Sequence, residues 1–214
     1  MENARIQPEK LAHFVIRTSR YREMVNWYQD LLETEIAFGD AQATFMTYDD
    51  EHHRVAILNM PGLLPRTRAM AGVDHVAFTY RSLDDLLATY ERLAKDGLKP
   101  VWPINHGGTT SLYYEDPDAN YVELQIDNFP SRSATNEFLA DERFKTNPIG
   151  IDFDPEDLLA RRKAGASVEE LTRWPAEVGP RTTPPPKRYL GALHAALLNL
   201  RSRLGRSGRS ADRP

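Results

Sequence analysis

Two histidines and one glutamate have the types and spacing needed for metal chemistry. His13 lies in "LAHFVIRT" (11–18) and His75 in "VDHVAFTY" (73–80), each third in a short apolar run that reads as a buried strand, 62 residues apart. Glu123 lies in "NYVELQID" (120–127). Side chains alternate across a strand, so Leu11, His13 and Val15 share one face, as do Val73, His75 and Ala77. Tyr121, Glu123 and Gln125 likewise share a face, opposite the apolar Val122, Leu124 and Ile126. An inward glutamate is costly unless it is paired or bound to a cation. Singly, each histidine reads as a satisfied core residue. Together, two imidazoles and a carboxylate on one concave face form the set expected of a non-haem Fe(II) centre with open positions. The chain has no cysteine, which excludes disulfides and thiolate ligands, so a metal must rest on His, Asp or Glu.

The elements that position these residues form a repeat. At the same 62-residue offset "YREMVNWYQDLLET" (21–34) matches "SLDDLLATYERLAKDG" (82–97), with Tyr28 falling on Tyr90. Apolar residues at three- and four-residue spacing, such as Met24, Trp27, Tyr28 and Leu31, predict a helix in each copy. Strand-like runs follow at 35–38, 43–48 and 54–58, then at 100–103, 109–114 and 121–127. Each copy reads βαβββ, and neither alone covers its sheet. The expected fold is α+β. Two tandem βαβββ modules over residues 9–130 form a cup-shaped mixed sheet with helices outside. A mainly helical extension over 131–204 and a disordered tail over 205–214 follow.

Within the extension, Pro155 with its acidic neighbours marks a helix start. Ser167 with Glu170 three places on gives a capping-box signal. "PAEVGPRTTPPPKR" (175–188) reads as a stiff, exposed connection. In "YLGALHAALLNLRSRL" (189–204) the residues Leu190, Leu193, Leu197, Leu200 and Leu204 make a narrow apolar stripe. It suits packing on the chain's own domain or self-association into a homo-oligomer, and it places His194 away from the site. Hydrophobic content of 41%, charged content of 27% and a net charge of −4 describe a globular chain with no general pull toward nucleic acid or a membrane surface. "MENARIQPEK" lacks the apolar core of a signal peptide, and no apolar run has the length of a membrane span, so a cytoplasmic location is expected.

"LAHFVIRT", "VDHVAF" and "YYEDPDANYVEL" resemble the vicinal oxygen chelate superfamily, which includes glyoxalases, bleomycin-resistance proteins and type I extradiol catechol dioxygenases. The resemblance covers roughly residues 11–128, and its DPDAN-x-VEL turn and strand identify the superfamily rather than an activity. Glyoxalase-like members draw a carboxylate or amide ligand from each module, giving four. Here the first-module counterpart of Glu123 falls near Ala56, which cannot bind a metal. Three ligands with the rest open resembles the single-domain extradiol dioxygenases.

That resemblance implies Fe(II), with Mn(II) as the alternative ion, held by His13, His75 and Glu123. The implied substrates are a catechol-type aromatic and O2, and the ring opens beside, not between, the two hydroxyls. "DDEHHRVAIL" (49–58) resembles the strand that carries an active-site histidine, which is His53; its neighbour His52 faces the opposite way in a regular strand. "NHGGTTSLYYEDPDANYVEL" (105–124) resembles the segment that carries a further histidine and a tyrosine, His106 and Tyr113. The implied roles are substrate hydrogen bonding and proton movement for His106 and Tyr113, and acid–base work beside the bound oxygen for His53. Tyr113 and Tyr114 alternate faces, so one of them belongs to the core. The alternatives are a glyoxalase- or epimerase-like metal enzyme and a drug-binding resistance module. The missing fourth ligand speaks against the first, and retention of all three ligand types against the second.

Overall fold

The computed structural model describes residues 6–64, 66, 71–182 and 186. The expected leucine-striped helix with His194 and the expected tail lie outside the described residues. The chain divides into two compact units, Met1–Arg66 with Asp116–Ala119, and Thr67–Glu115 with Asn120–Pro214.

The first unit contains β1 (Phe14–Thr18), α1 (Tyr21–Leu32), β2 (Glu35–Gly39), β3 (Ala43–Thr47) and β4 (Val55–Asn59). Its sheet has the order β1-β4-β3-β2, with β1 parallel to β4. Met24, Val25, Tyr28 and Leu31 form the buried stripe of α1, and the helix packs on β4. Trp27, expected in that stripe, is only half-buried. The turn Asp116–Ala119 belongs here: Tyr28 donates its hydroxyl to Asp116 Oδ2 at 3.2 Å. Asp116 Oδ1 also accepts the Asp118 N–H at 2.9 Å, which closes the turn.

The second unit repeats the pattern with β5 (His75–Thr79), α2 (Leu83–Lys95), β6 (Trp102–Asn105), β7 (Thr109–Glu115) and β8 (Tyr121–Asp127). The extension adds α3 (Arg132–Ala140), α4 (Glu142–Thr146), β9 (Ile151–Asp152), α5 (Pro155–Lys163) and α6 (Val168–Thr172). Sheet order is β5-β8-β7-β6-β9, so the extension contributes a strand of its own, β9, which pairs with β6. Ser82 caps α2 by accepting the Asp85 N–H, with Asp84 and Asp85 in the first turn and Arg92 and Lys95 in the last, each favourable to the helix dipole. Leu83, Leu86, Leu87, Tyr90 and Leu93 are buried, and α2 packs on β8, whose Val122, Leu124 and Ile126 are buried too. Each such side chain contributes roughly 1.5–3 kcal/mol by leaving water. In the extension, Asp154 and Pro155 start α5, and Ser167 caps α6 by accepting the Glu170 N–H at 3.1 Å.

The fold is therefore α+β, two βαβββ units with two mixed sheets of four and five strands. The two histidine-bearing strands are shorter and more open than the sequence suggests. β1 begins at Phe14 because the Leu11 and Ala12 carbonyls are taken by the Arg54 guanidinium at 2.6 and 3.1 Å instead of by a neighbouring strand. β5 begins at His75, where its partner β8 begins at Tyr121. Both are edge strands of their sheets, and Val15 and Val73 are exposed rather than buried. No helix among the described residues is long and apolar enough to cross a membrane.

Candidate active site

In the second unit, strand register puts the expected residues on one sheet face. Ala77 pairs with Glu123, and Glu123 with Tyr113; Tyr113 in turn pairs with Trp102. Directly paired residues project to the same side, so Glu123, Tyr113 and Trp102 share a face with His75 two residues before Ala77. Tyr114 projects the other way and is fully buried, so it is the core member of the tyrosine pair.

His75 Nε2 stands 3.0 Å from Glu123 Oε2, and its Nδ1 lies 2.7 Å from Asp74 Oδ2. The hydrogen bond to Glu123, followed by that to Asp74, outweighs partial burial and lifts the His75 pKa to about 8. Burial alone would raise Glu123, but hydrogen bonds from His75 and Ser111 reverse this and hold its carboxyl below the usual value. With a carboxylate on Nδ1, the imidazole is orientated to present Nε2 beside the Glu123 carboxylate, the arrangement found behind metal-bound histidines. One imidazole nitrogen and one carboxylate oxygen at the same point fit a divalent first-row metal, in line with the chemistry expected of these residue types.

Beside them, His106 Nε2 is 3.0 Å from the Tyr113 hydroxyl, and the Tyr113 ring meets His75 edge-on at 5.2 Å. His106 sits in the β6–β7 hairpin, where its N–H donates to Thr109 O at 2.9 Å. Gly107 comes next with φ +85°, a left-handed conformation suited to glycine. Its N–H donates to Asn105 Oδ1 at 2.7 Å, and its carbonyl accepts Asn128 Nδ2 at 3.0 Å. Burial pushes the His106 pKa down, which keeps the imidazole neutral. Trp102 stacks on Tyr113 at 5.3 Å and donates Nε1 to Asp152 Oδ1 at 2.8 Å.

In the first unit, His13 precedes β1 and is exposed. Its ring lies 4.2 Å from that of His53 and 6.1 Å from that of His52. His53 also stacks on Phe45 at 4.8 Å, while His52 is the more exposed of the pair. Partial burial first, then the neighbouring His13 and His52, lower the His53 pKa. Arg54, bonded to both oxygens of Asp49 and to the Leu11 and Ala12 carbonyls, anchors the backbone that carries His13. Val15 pairs with Ala56 as Ala77 pairs with Glu123, so Ala56 is the positional counterpart of the glutamate and offers no donor.

Each unit thus gathers part of the expected set: His13 with His53 in one, and His75, Glu123, His106 and Tyr113 in the other. Among the described residues, no group of three or more His, Cys, Asp or Glu side chains is gathered that could hold a metal ion. Asp74, Ser111, Trp102 and Arg54 support these residues and were not singled out from sequence. Of these, only Asp74, adjacent to His75, carries a local signal.

A family model described as the glyoxalase/bleomycin resistance protein/dioxygenase superfamily matches residues 10–124. Biphenyl-2,3-diol 1,2-dioxygenase 2 of Rhodococcus globerulus is 42% identical over 174 residues, covering 80% of this chain and 92% of that protein. Biphenyl-2,3-diol 1,2-dioxygenase 3 of the same organism is 44% identical over 165 residues, covering 76% and 87%. Among solved structures, the glyoxylase/bleomycin resistance protein/dioxygenase domain from Frankia sp. EAN1pec aligns with 58% of this chain and 96% of that one, at 18% identity and a TM-score of 0.49. The chain belongs to the glyoxalase/bleomycin resistance protein/dioxygenase superfamily.

Proposed function

We propose that the chain is an Fe(II)-dependent extradiol dioxygenase that uses O2 to open a catechol-type ring beside its two hydroxyls. The single observation that carries this reading is the sheet face on which His75, Glu123, Tyr113 and His106 meet, set against Ala56 at the matching place in the other sheet. A donor-free Ala56 weighs against the four-ligand glyoxalase-like alternative. The relatives named for biphenyl-2,3-diol favour an aryl-substituted catechol as substrate.

His13, His75 and Glu123 would hold the ion, Fe(II), with Mn(II) as the alternative. When bound, it supplies open positions at which the two catechol oxygens and O2 are brought together. Asp74 keeps His75 turned so that Nε2 faces the Glu123 carboxylate, and Ser111 orientates Glu123. Tyr113 binds a substrate oxygen, and Tyr113 and His106 together move its proton. His53, whose pKa partial burial lowers, is suited to act as the acid–base group on the oxygen side.

The test is turnover of biphenyl-2,3-diol and a panel of simpler catechols under 18O2, after anaerobic loading with Fe(II). A yellow ring-opened product bearing two 18O atoms is the expected result. Cleavage between the hydroxyls, or absence of oxygen consumption by an Fe(II)-loaded chain across the panel, overturns the reading.

A further inference from the structure

The extension reaches the candidate active face through His106. His106 Nδ1 meets the carbonyl oxygen of Ile149, in the segment just before β9. A carbonyl oxygen can only accept, so Nδ1 carries the proton. A neutral imidazole has one N–H, which leaves Nε2 as a lone pair facing Tyr113, and makes the tyrosine hydroxyl the donor across the 3.0 Å contact. The backbone of the extension therefore decides which way this hydrogen bond runs.

The Ile149 carbonyl is held in place by its neighbours in the turn. The Gly150 N–H donates to Asn147 Oδ1 at 3.0 Å, and the Gly150 carbonyl accepts Asn147 Nδ2 at 3.0 Å and Arg181 Nη1 at 2.8 Å. Arg181 Nη2 also reaches both oxygens of Asp152, at 2.6 and 2.9 Å, and its guanidinium lies 5.8 Å from the Trp102 ring centre. Asp152 in turn holds Trp102, the ring stacked on Tyr113. Asn147 is buried, and the Arg181 side chain is 10% exposed. One arginine thus ties the turn that supports His106 to the ring that supports Tyr113.

We infer that Arg181 and Asn147 are positioning residues that hold the Ile149 carbonyl on His106 and so fix the Tyr113-to-His106 direction of proton donation. The consequence for catalysis rests on the dioxygenase reading. The substrate O–H bond breaks as its proton passes to the Tyr113 oxygen, and the Tyr113 O–H bond breaks as its proton passes to His106 Nε2. The substrate is left as a phenolate and His106 as an imidazolium whose Nδ1–H remains on the Ile149 carbonyl.

The test is 15N NMR of the full chain labelled at histidine and loaded with diamagnetic Zn(II), with the His106 signals assigned through His106→Gln. The expected wild-type pattern is a protonated Nδ1 and a bare Nε2. Arg181→Gln and Asn147→Ala are expected to convert it to a tautomer mixture, with Arg181→Lys retaining part of the wild-type pattern. In the Fe(II) enzyme, kcat of Arg181→Gln should fall about 10–100-fold, the loss typical of groups that orientate a working histidine. KM should stay within about threefold, because substrate contacts are untouched. A protonated Nε2 in wild type overturns the inference, as does an unchanged tautomer in Arg181→Gln whose other histidine signals show a native fold. A catalytically inert chain that still shows the Nδ1–H form and its loss in Arg181→Gln supports the positioning role while refuting the dioxygenase reading.

Discussion

Gly107→Ala tests the packing that seats His106. Gly107 has φ +85°, and a Cβ built there lies 2.2 Å from Phe138 Cζ, 2.3 Å from Phe138 Cε1 and 3.0 Å from Trp174 Cε3. Two costs add. Holding an L-residue in the left-handed region costs about 1–2 kcal/mol. Overpacking against two buried rings costs about 1–3 kcal/mol more, because Phe138 is itself wedged between Phe129, Phe144 and Trp174. The sum, about 2–5 kcal/mol, is a large part of a typical domain stability of about 5–15 kcal/mol. Gly165→Ala is the control: φ is +100°, but no described residue lies within 4 Å of the added carbon, so only the backbone cost of about 1–2 kcal/mol applies. Urea unfolding of the two variants and wild type, at constant slope, reads both values. Equal destabilisation by the two substitutions, or a Gly107→Ala within about 0.5 kcal/mol of wild type, would refute the contribution assigned to ring contact.

The same geometry sets further outcomes. Tyr114→Phe removes a buried hydroxyl with no hydrogen-bond partner among the described residues, so stability should be unchanged or rise by about 1 kcal/mol in urea unfolding. Tyr113→Phe removes the donor to His106 and should cut kcat by about 10²-fold or more while the fold persists. Asp141 caps α4 and pairs with Arg143, whose side-chain hydrogen bond is the main reason its pKa falls to about 2. The carboxyl is more acidic folded than unfolded, so its contribution is complete above the unfolded value near 4 and is lost as pH falls toward 2. The Tm difference between wild type and Asp141→Asn should therefore be largest above pH 5 and shrink on acidification. Arg54→Met frees the Leu11 and Ala12 carbonyls and should weaken metal retention about tenfold in competition with a chelator, even though Arg54 has no donor for the ion.

How much of the fold and site was legible in the sequence depends on the range of the signal. Period-two alternation placed Glu123, and the repeat placed its counterpart at Ala56; the observed registers give that same correspondence. The three-and-four spacing of Met24, Tyr28 and Leu31, and of their partners around Tyr90, gave both helices nearly to the residue. β1 and β5 start later than their apolar runs because edge pairing ends where the partner ends, and the Leu11 and Ala12 carbonyls are satisfied by a side chain some forty residues on. Ile149 on His106 and Arg181 on Asp152 leave no trace in any local period. A two-residue strand such as β9 is too short to show one. Asp74 was visible only as a neighbour of His75, and its hydrogen bond needed coordinates.

The most direct test of the central claim is metal stoichiometry in four proteins, wild type, His13→Ala, His75→Ala and Glu123→Ala, each loaded anaerobically with Fe(II), desalted, and assayed for iron and for oxygen uptake with biphenyl-2,3-diol. The account predicts one Fe(II) per wild-type chain with catechol-dependent oxygen uptake, and loss of both in all three variants whose folds remain intact. Retention of iron and turnover in a folded His13→Ala, His75→Ala or Glu123→Ala protein would contradict the three-ligand centre.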